Sequence, residues 1–340
     1  MSQSFLFQEA AQAAETVRLQ TRTNAEIMER LGERLRRHRP YAVVTCARGS
    51  SDHAATFAKY LLETRVGILT SSAAPSVSSV YAARADLRGT VMLAISQSGA
   101  SPDLLATVAN AKSAGAMILA MVNVETSPLA QAADYVIPLC AGREQSVAAT
   151  KSYIAALASI IHLVGLWSED EELLEALERA PASLERAWQL DWQPALATLT
   201  AARDLYVVGR GLGLGIAQEV ALKLKETCGL HAEALSAAEL RHGPMALVQS
   251  GFPVMIFAQN DETLGGVESL AAELAGRGAQ IMLAGANAPQ SIVLPTENAH
   301  PAIQPMLMVQ SFYRLVNALS IARGYDPDRP PLLRKVTETV

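Results

Sequence analysis

Short apolar runs alternate with longer amphipathic stretches along most of the chain, and this alternation predicts buried strands followed by helices. The first run, Tyr41–Cys46, precedes a loop of small polar residues and a helix through Leu62. The second half begins in the same way, with Leu205–Val208, a glycine-rich loop and a helix through Leu230. Strands alternating with helices predict parallel sheets covered on both faces. The other predicted strands are Val91–Ile95, Met117–Val122, Tyr135–Leu139, Val254–Ala258, Gln280–Ala284 and Ser291–Leu294.

The two halves repeat one pattern, so we predict two α/β units in tandem. In open parallel sheets, ligands bind beyond the carboxyl ends of the strands, and candidate functional residues are therefore sought in the loops that follow them. The predicted parts of the chain are an amphipathic helical arm (1–34), a first unit (35–165), a charged helical connector (166–194), a second unit (195–325) and a C-terminal tail (326–340).

Composition narrows the class of protein. A chain of 340 residues with half its residues hydrophobic can build two domains, and a net charge of −5 with scattered basic residues does not indicate a nucleic-acid partner. No signal peptide is predicted, because the start at Met1–Phe5 has no basic region followed by an apolar core. No membrane span is predicted either, because the alanine-rich run Ala155–Leu166 is too short and contains His162. Cys46, Cys140 and Cys228 lack metal-ligand spacing and are predicted to be reduced packing residues of a cytoplasmic protein.

The segment after the predicted strand Val91–Ile95 has the features of an anion site. Ser101 suits a helix N-cap, Pro102 the first helical position, and Asp103 the positive end of the helix dipole. Backbone N–H groups converge at such a helix start and bind phosphate, although a well-capped turn without a ligand has the same pattern. The neutral side chains expected around one crevice at this edge are Ser50, Ser51, Ser96, Gln97 and Ser98, with Ser101 beside them.

Glycines after the strand at Leu205–Val208 invite comparison with a dinucleotide-binding loop. The pattern G-x-G-x-x-G is not matched, because its last glycine position holds Leu214 when counted from Gly209 and Ile216 when counted from Gly211. No acidic residue ends a strand about 20 residues further on. Nicotinamide chemistry is therefore not predicted, and neither a metal nor an organic cofactor is expected.

A second candidate site lies on the predicted helix that ends at Leu230. Glu219, Lys223 and Glu226 share one helix face, and their neighbours on that face are mostly apolar. An exposed Glu–Lys pair would be the structural alternative. Two carboxylates and an ammonium enclosed by apolar residues are costly to bury unless they are paired or functional, so we favour a functional role.

Further polar residues follow this helix. His242 precedes a Gly-Pro pair and is expected at a helix end or in a loop, where a histidine either contacts a substrate or serves the structure. His231 and Glu233 are compatible with a metal site, but no third ligand stands at a convincing spacing.

Taken together, these motifs resemble the isomerase half of the glucosamine-6-phosphate synthase family, which consists of two tandem sugar-isomerase (SIS) domains. The resemblance covers nearly the whole chain from about residue 35 and implies an αβα sandwich in each unit. It does not include that family's amino-terminal glutaminase domain. The segments that carry it are Ser96–Ser101, Ala221–Glu226, His231–Glu233, Glu239–Pro244 and Leu333–Thr337.

The resemblance implies specific roles. The phosphate cradle is formed by Ser96, Gln97, Ser98 and Ser101, with Ser51 nearby. Glu226 moves a proton between sugar carbons C1 and C2, and Lys223 lies beside it. His242 opens the sugar ring and comes from a neighbouring subunit, which implies a homodimer with shared sites, while Lys335 meets the open-chain sugar.

These expectations lead to an isomerising deaminase that converts glucosamine 6-phosphate to fructose 6-phosphate and ammonia. Ala100 and Ala149 depart from the family, which has Glu and Ser at those positions near the sugar. Alternatives are another amino-sugar phosphate, such as galactosamine 6-phosphate or a fructosamine 6-phosphate, and a non-catalytic sugar-phosphate sensor.

Overall fold

The computed structural model describes residues 3–83, 85–333 and 335, which form two compact units with one sheet each. The first-sheet unit comprises Glu15–Arg143, Lys151–Glu178 and Lys335. The second-sheet unit comprises residues 3–14, Glu144–Thr150 and Arg179–Leu333. Each unit is therefore assembled from separate parts of the chain.

The first sheet contains β1 (Val43–Cys46), β2 (Thr70–Ser72), β3 (Val91–Ser96), β4 (Met117–Val122) and β5 (Tyr135–Pro138). The helices of this unit are α2 (Ala13–Arg37), α3 (Ser50–Leu61), α4 (Pro75–Ser79), α5 (Pro102–Ser113), α6 (Pro128–Ala132) and α7 (Lys151–Ser168), and one π-helical turn (Leu62–Val66) extends α3.

The second sheet contains β6 (Asp204–Gly209), β7 (His231–Ser236), β8 (Pro253–Phe257), β9 (Gln280–Ala284) and β10 (Ile292–Leu294). Its helices are α1 (Phe5–Ala11), α9 (Leu196–Ala201), α10 (Gly213–Cys228), α11 (Leu264–Gly276) and α12 (Gln304–Ala322), and α8 (Glu171–Gln189) begins in the first-sheet unit and ends in this one. Short 3₁₀ helices cover Gln193–Ala195, Glu239–His242 and Pro244–Leu247.

The eight predicted strands are confirmed, but the prediction of four strands per unit is wrong, since each sheet has five. The two missed strands, β2 and β7, are both edge strands. β2 has only three residues, and β7 begins with the exposed side chains of His231 and Glu233. A strand with a neighbour on only one side needs no continuous apolar run, so its sequence signal is weak.

Both sheets are parallel and have the same topology. The strand orders are β2-β1-β3-β4-β5 and β10-β9-β8-β6-β7, so the order reverses between β1 and β3 in one sheet and between β6 and β8 in the other. Right-handed crossovers place the helix that follows β1 and the helix that follows β3 on opposite faces of the first sheet. The helices that follow β6 and β8 lie in the same way on the second sheet. Their N-termini then flank a crevice at the carboxyl edge, which is the ligand position in open α/β sheets.

The apolar helix α7 belongs to the interior of its unit. It has 18 residues with a mean hydropathy of 1.2, so it passes a length-and-composition test for a membrane span, and our expectation that no run is long enough was wrong. However, 83% of that window is buried within the protein, as in the core helix of a folded domain. Burial also lowers the pKa of His162 to about 4, so this histidine is neutral in the core.

The C-terminal strap (Gly324–Leu333) is bound to helix α1 within the second-sheet unit. The Asp328 carboxylate accepts hydrogen bonds from the backbone N–H groups of Phe5 and Leu6, both at 2.8 Å. The Asp328 carbonyl accepts a longer bond, 3.4 Å, from the N–H of Val147. One aspartate therefore joins the start of α1, the strap and the segment Glu144–Thr150.

Glu9 completes this junction from the other end of α1. Its buried carboxylate accepts hydrogen bonds from the backbone N–H groups of Gln145 and, at 3.2 Å, Ser146. Backbone donors of a buried turn need such partners, so α1 and the segment Glu144–Thr150 depend on each other.

Replacing Asp328 with Ala should lower the free energy of unfolding by about 1–2 kcal/mol, because the first turn of α1 loses two charge-assisted acceptors. Urea denaturation monitored by circular dichroism measures this loss. The control Glu178→Ala alters an exposed carboxylate on α8 and should stay within about 0.5 kcal/mol of the wild type. An Asp328→Ala protein as stable as the control would contradict the junction.

Candidate active site

Two helix N-termini meet the carboxyl edge of the first sheet at the β1–β3 reversal. β1 and β3 are paired in register, with Cys46 opposite Ala94, so the loops that follow them are adjacent. Helix α3 starts directly at Ser50, and Ser101 is the N-cap of α5 with Pro102 in its first turn, as predicted. The N–H groups of two first turns and the hydroxyls of several serines thus gather at one edge.

Internal contacts hold the loop between β3 and α5. The Ser96 hydroxyl accepts a hydrogen bond from the N–H of Gly99 at 3.0 Å, and the Gly99 carbonyl accepts one from the N–H of Leu129 at 3.1 Å. Gly99 has a φ of +64°, and a Cβ at this position would overlap the side chain of Ser127. The loop therefore needs glycine here, and internal hydrogen bonds support its shape.

The predicted cradle residues are brought together in this unit. Ser96 is buried at the end of β3, whereas Ser50, Ser51, Gln97, Ser98 and Ser101 are partly exposed. The Ser101 hydroxyl makes no capping hydrogen bond within the described residues, although the serine occupies the cap position. This set of neutral donors at two helix starts suits a phosphate group.

The corresponding edge of the second sheet carries different side chains. Gln259, fully buried after β8, donates from Nε2 to the Arg210 carbonyl at 2.8 Å, to the Asp261 carboxylate at 2.9 Å and to the Thr263 hydroxyl at 3.1 Å. An amide and a carboxylate already occupy this crevice, and the carboxylate would repel an anion. The two sheets share a topology, but the second lacks the neutral donors that are predicted to form a phosphate cradle at the first.

Sequence reasoning missed a charged pair at the cradle. The Arg48 guanidinium, in the loop after β1, donates from Nε at 2.8 Å and from Nη2 at 2.6 Å to one oxygen of Asp103 in the first turn of α5. Asp103 is 1% exposed, whereas Arg48 is 53% exposed. The sequence carries only a weak signal for this pair, an Arg-Gly dipeptide two residues after the end of β1 and an acidic residue two positions after a helix cap.

The thiol of Cys46, next to this pair at the end of β1, is inert. Burial and then the Asp103 charge raise its pKa to about 12, and Arg48 only partly offsets them. Burial likewise raises the pKa of Cys228 to about 11. All three cysteines are unpaired, and Cys140 is half-buried, so the prediction of free packing residues is confirmed.

The predicted stripe on α10 is present. The Lys223 ammonium lies 3.3 Å from the Glu219 carboxylate and 2.6 Å from the Glu226 carboxylate. Glu219 also accepts a hydrogen bond from the Tyr313 hydroxyl of α12 at 3.1 Å. The exposed side-chain fractions are 0% for Glu219, 1% for Lys223 and 23% for Glu226, so the stripe runs from the core to a solvent-accessible end.

The charge on Lys223 is retained despite complete burial. Desolvation alone lowers the pKa of a buried lysine, but the two carboxylates outweigh it, so the pKa of Lys223 is raised. The stripe therefore holds a permanent cation beside the accessible carboxylate of Glu226, an arrangement suited to proton transfer at a carbon atom.

The remaining candidates lie elsewhere on the surface of their units. His242 ends a 3₁₀ helix, is exposed and makes no hydrogen bond or ion pair with the described part of the chain. No three His, Cys, Asp or Glu side chains among residues 3–83, 85–333 and 335 form a group that could hold a metal ion. His231 and Glu233 thus stay at the exposed start of β7 without a third ligand.

The tail is described up to Leu333 and again at Lys335. The C-terminal strap is non-helical and contains several turns, and Tyr325 packs closely against Gly229 at the end of α10. Lys335 is partly exposed and belongs to the first-sheet unit. Arg334, Val336 and Thr337 of the tail motif lie outside the described residues, and the placement of Lys335 at a sugar stays a prediction.

Replacing Lys223 with Met should destabilise the protein by about 3–5 kcal/mol, because the buried Glu219 carboxylate loses its counter-charge. The double variant Glu219→Gln/Lys223→Met should recover most of this loss, and the control Lys225→Met, exposed on the same helix, should change little. Chemical denaturation at pH 7 measures all three. Equal stability of the single and double variants would contradict charge compensation.

The pH dependence follows from the raised pKa of Lys223. Its contribution is fully present below the unfolded-state value, near 10.5, and is lost as the pH rises through the folded-state value. Above about pH 10.5, the wild type should therefore lose stability relative to Lys223→Met, which chemical denaturation at a series of alkaline pH values measures.

Comparison with known proteins places this arrangement in a family. The model of the SIS domain matches residues 38–164 and 198–305. Glutamine–fructose-6-phosphate aminotransferase (isomerising) from Aeropyrum pernix is 36% identical over 309 residues, which cover 84% of this chain and 49% of that protein. The chain thus spans about half the length of this curated relative.

Solved structures extend the match. A protein of Silicibacter pomeroyi that has been named a phosphosugar isomerase has a TM-score of 0.92 and 38% identity, covering 96% of this chain and all of that one. The C-terminal domain of glucosamine–fructose-6-phosphate aminotransferase from Francisella tularensis has a TM-score of 0.88 and 26% identity, covering 97% and 99%. The chain belongs to the SIS-domain family, contains two SIS segments, and corresponds to the isomerase half of these aminotransferases.

Proposed function

We propose that this protein is a sugar-phosphate isomerase that acts on an amino sugar, converting glucosamine 6-phosphate to fructose 6-phosphate and ammonia. The observation that carries the proposal is the stripe on α10, in which a buried Lys223 supports the accessible carboxylate of Glu226. The neutral donors predicted to form a phosphate cradle in the first-sheet unit support the choice of a sugar phosphate as the substrate. The aminotransferase relatives supply the substrate class by analogy.

The proposed reaction needs one proton-transferring group at adjacent carbons. After ring opening, the Glu226 carboxylate removes the proton from C2. The electron pair of the C–H bond forms the C1–C2 double bond while the π pair of the C1 carbonyl moves to O1, which takes up a proton from water to give an enaminol. Glu226 then returns the proton to C1 and the nitrogen loses one proton to water, which leaves an imine at C2 and a hydroxyl group at C1. Water adds to this imine and expels ammonia, giving the ketose phosphate. A single carboxylate can serve both proton transfers because C1 and C2 are neighbours.

The other roles are proposals of the same kind. His242 transfers the proton that opens the sugar ring, and Lys335 interacts with the open-chain form near C1 and C2. The exposure of His242 fits a group that serves a second copy of the chain, so we propose a homodimer with shared sites. We also propose a cytoplasmic location, in keeping with three unpaired cysteines.

The nearest alternatives keep the fold and change the ligand. Ala100 and Ala149 lack the side chains that the synthase family has near the sugar, which favours testing galactosamine 6-phosphate and fructosamine 6-phosphate beside glucosamine 6-phosphate. A sugar-phosphate sensor would use the cradle without the stripe. The buried, charge-compensated stripe favours an enzyme, since a sensor has no need of a supported base.

Purified protein should release ammonia from glucosamine 6-phosphate, measured by a coupled ammonia assay across the three amino-sugar phosphates. Glu226→Gln should lower kcat by roughly 10²–10⁴ because it removes the proton-transferring group while preserving shape. Binding of fructose 6-phosphate should persist in that variant. The control Glu262→Gln changes an exposed side chain after β8 and should keep wild-type kcat.

Two outcomes would overturn parts of this proposal. Near-normal turnover by Glu226→Gln would remove Glu226 as the base. Tight binding of phosphosugars without ammonia release or isomerisation by the wild type would favour the sensor.

Mixed dimers test the shared site. His242→Ala and Glu226→Gln proteins should each be inactive, yet a mixture that exchanges subunits should regain part of the activity because one of the two hybrid sites has both groups intact. Differently tagged subunits allow the heterodimer to be purified and assayed. A verified heterodimer without activity would place His242 and Glu226 in one subunit's site.

A further inference from the structure

The cradle contains neutral donors, but the phosphate that it is proposed to bind carries a charge of about −1.5 to −2 at neutral pH. Asp103 adds a buried carboxylate to the first turn of α5, beside Ser101, and its negative charge opposes a bound anion. Helix N-termini and hydroxyl groups offset only part of this repulsion. A cation at this edge would offset the rest, and the structure provides one in Arg48.

We propose that Arg48 is a phosphate-binding residue of the cradle and that Asp103 is the positioning residue that holds its guanidinium there. This inference rests on the proposed function, since it assigns a further residue to the same phosphate site.

Geometry leaves the guanidinium able to bind a second anion. Arginine has five N–H donors, and Asp103 uses two of them, both on the oxygen Oδ2. The other oxygen, Oδ1, accepts the backbone N–H of Leu104 at 2.7 Å. The remaining donors of Arg48, including both on Nη1, meet no acceptor in the described ranges, and the side chain is 53% exposed. Arginine forms strong paired hydrogen bonds to phosphate oxygens.

The second sheet offers an internal comparison. Arg210 follows β6 as Arg48 follows β1, and in both loops the next residue is a glycine with positive φ, Gly49 at +54° and Gly211 at +56°. The first turn of α11 has no acidic residue, and Arg210 instead donates to the Ser236 hydroxyl of the edge strand β7 at 3.3 Å. The equivalent arginine is held at a helix N-terminus only in the unit that has Asp103 and the serines.

A purely structural role for Arg48, that of neutralising Asp103, is the competing explanation. The two roles differ in a double variant. Arg48→Met/Asp103→Asn removes both charges, so it should restore stability under either explanation, but it should restore phosphate affinity only if Arg48 does no more than neutralise Asp103.

The test uses the full chain with inorganic phosphate and fructose 6-phosphate as ligands, and isothermal titration calorimetry as the readout. Arg48→Met should weaken binding of both about 10- to 100-fold, the range expected for a hydrogen bond to a charged group. Arg48→Lys should recover part of the affinity. The matched control is Arg88→Met, which disrupts an exposed Arg–Asp pair of the same unit with Nη2–Oδ2 at 2.6 Å and should leave both affinities unchanged.

The outcomes separate this inference from the proposed function. The role of Arg48 would be overturned if Arg48→Met bound phosphate within twofold of the wild-type affinity. Full recovery of phosphate affinity in the double variant would overturn it too, even if the wild type releases ammonia. Loss of phosphate affinity in both Arg48→Met and the double variant, with stability restored in the latter, would support it even if no amino-sugar phosphate is deaminated. If Arg48→Met does not fold, the double variant and Arg48→Lys carry the same comparison.

Discussion

The burial of Lys223 between two carboxylates is the constraint on which the second-sheet unit depends. An unpaired ammonium at 1% exposure would cost several kcal/mol, so Glu219 and Glu226 must stay on the same face of α10. Tyr313 binds the inner carboxylate and so joins α12 to this requirement. The outer carboxylate is thereby held in one position, and the arrangement that stabilises the helix also orients the proposed base.

A buried charge is also compensated at the first sheet, but there the counter-ion is accessible to solvent. Asp103 is as deeply buried as Lys223, but its counter-ion, Arg48, is half exposed. A buried anion paired with an accessible cation gives the edge of the sheet a positive group without leaving an uncompensated charge inside. The second sheet, which lacks this aspartate, fills its crevice with Gln259 instead. Two copies of one topology therefore differ at this edge: one carries an accessible cation beside several serines, and the other is packed with a buried amide.

Much of the fold could be predicted from the sequence, because central parallel strands are buried on both faces and appear as continuous apolar runs. The edge strands β2 and β7 escaped prediction because β2 consists of Thr and Ser and most residues of β7 are exposed or half-buried, whereas the more apolar edge strands β5 and β10 were predicted. Among site residues, the α10 stripe was predictable because helical periodicity alone places Glu219, Lys223 and Glu226 together. Arg48 was not, because its partner Asp103 lies 55 residues away and only the pairing of β1 with β3 makes them neighbours.

The hydrogen bonds between Asp328 and α1 affect the order in which parts of the protein fold during synthesis. Phe5 and Asp328 are separated by 323 positions, so at about 5–20 residues per second the ribosome needs roughly 15–65 s to supply the acceptor after the donor has been synthesised. A seven-residue helix is not stable alone, so α1 waits unfolded until Asp328 has been synthesised. The first-sheet unit, encoded mainly before residue 178, can form during that wait. Phe5 and Leu6 thus reach their native contacts later than residues of the first-sheet unit that are synthesised after them.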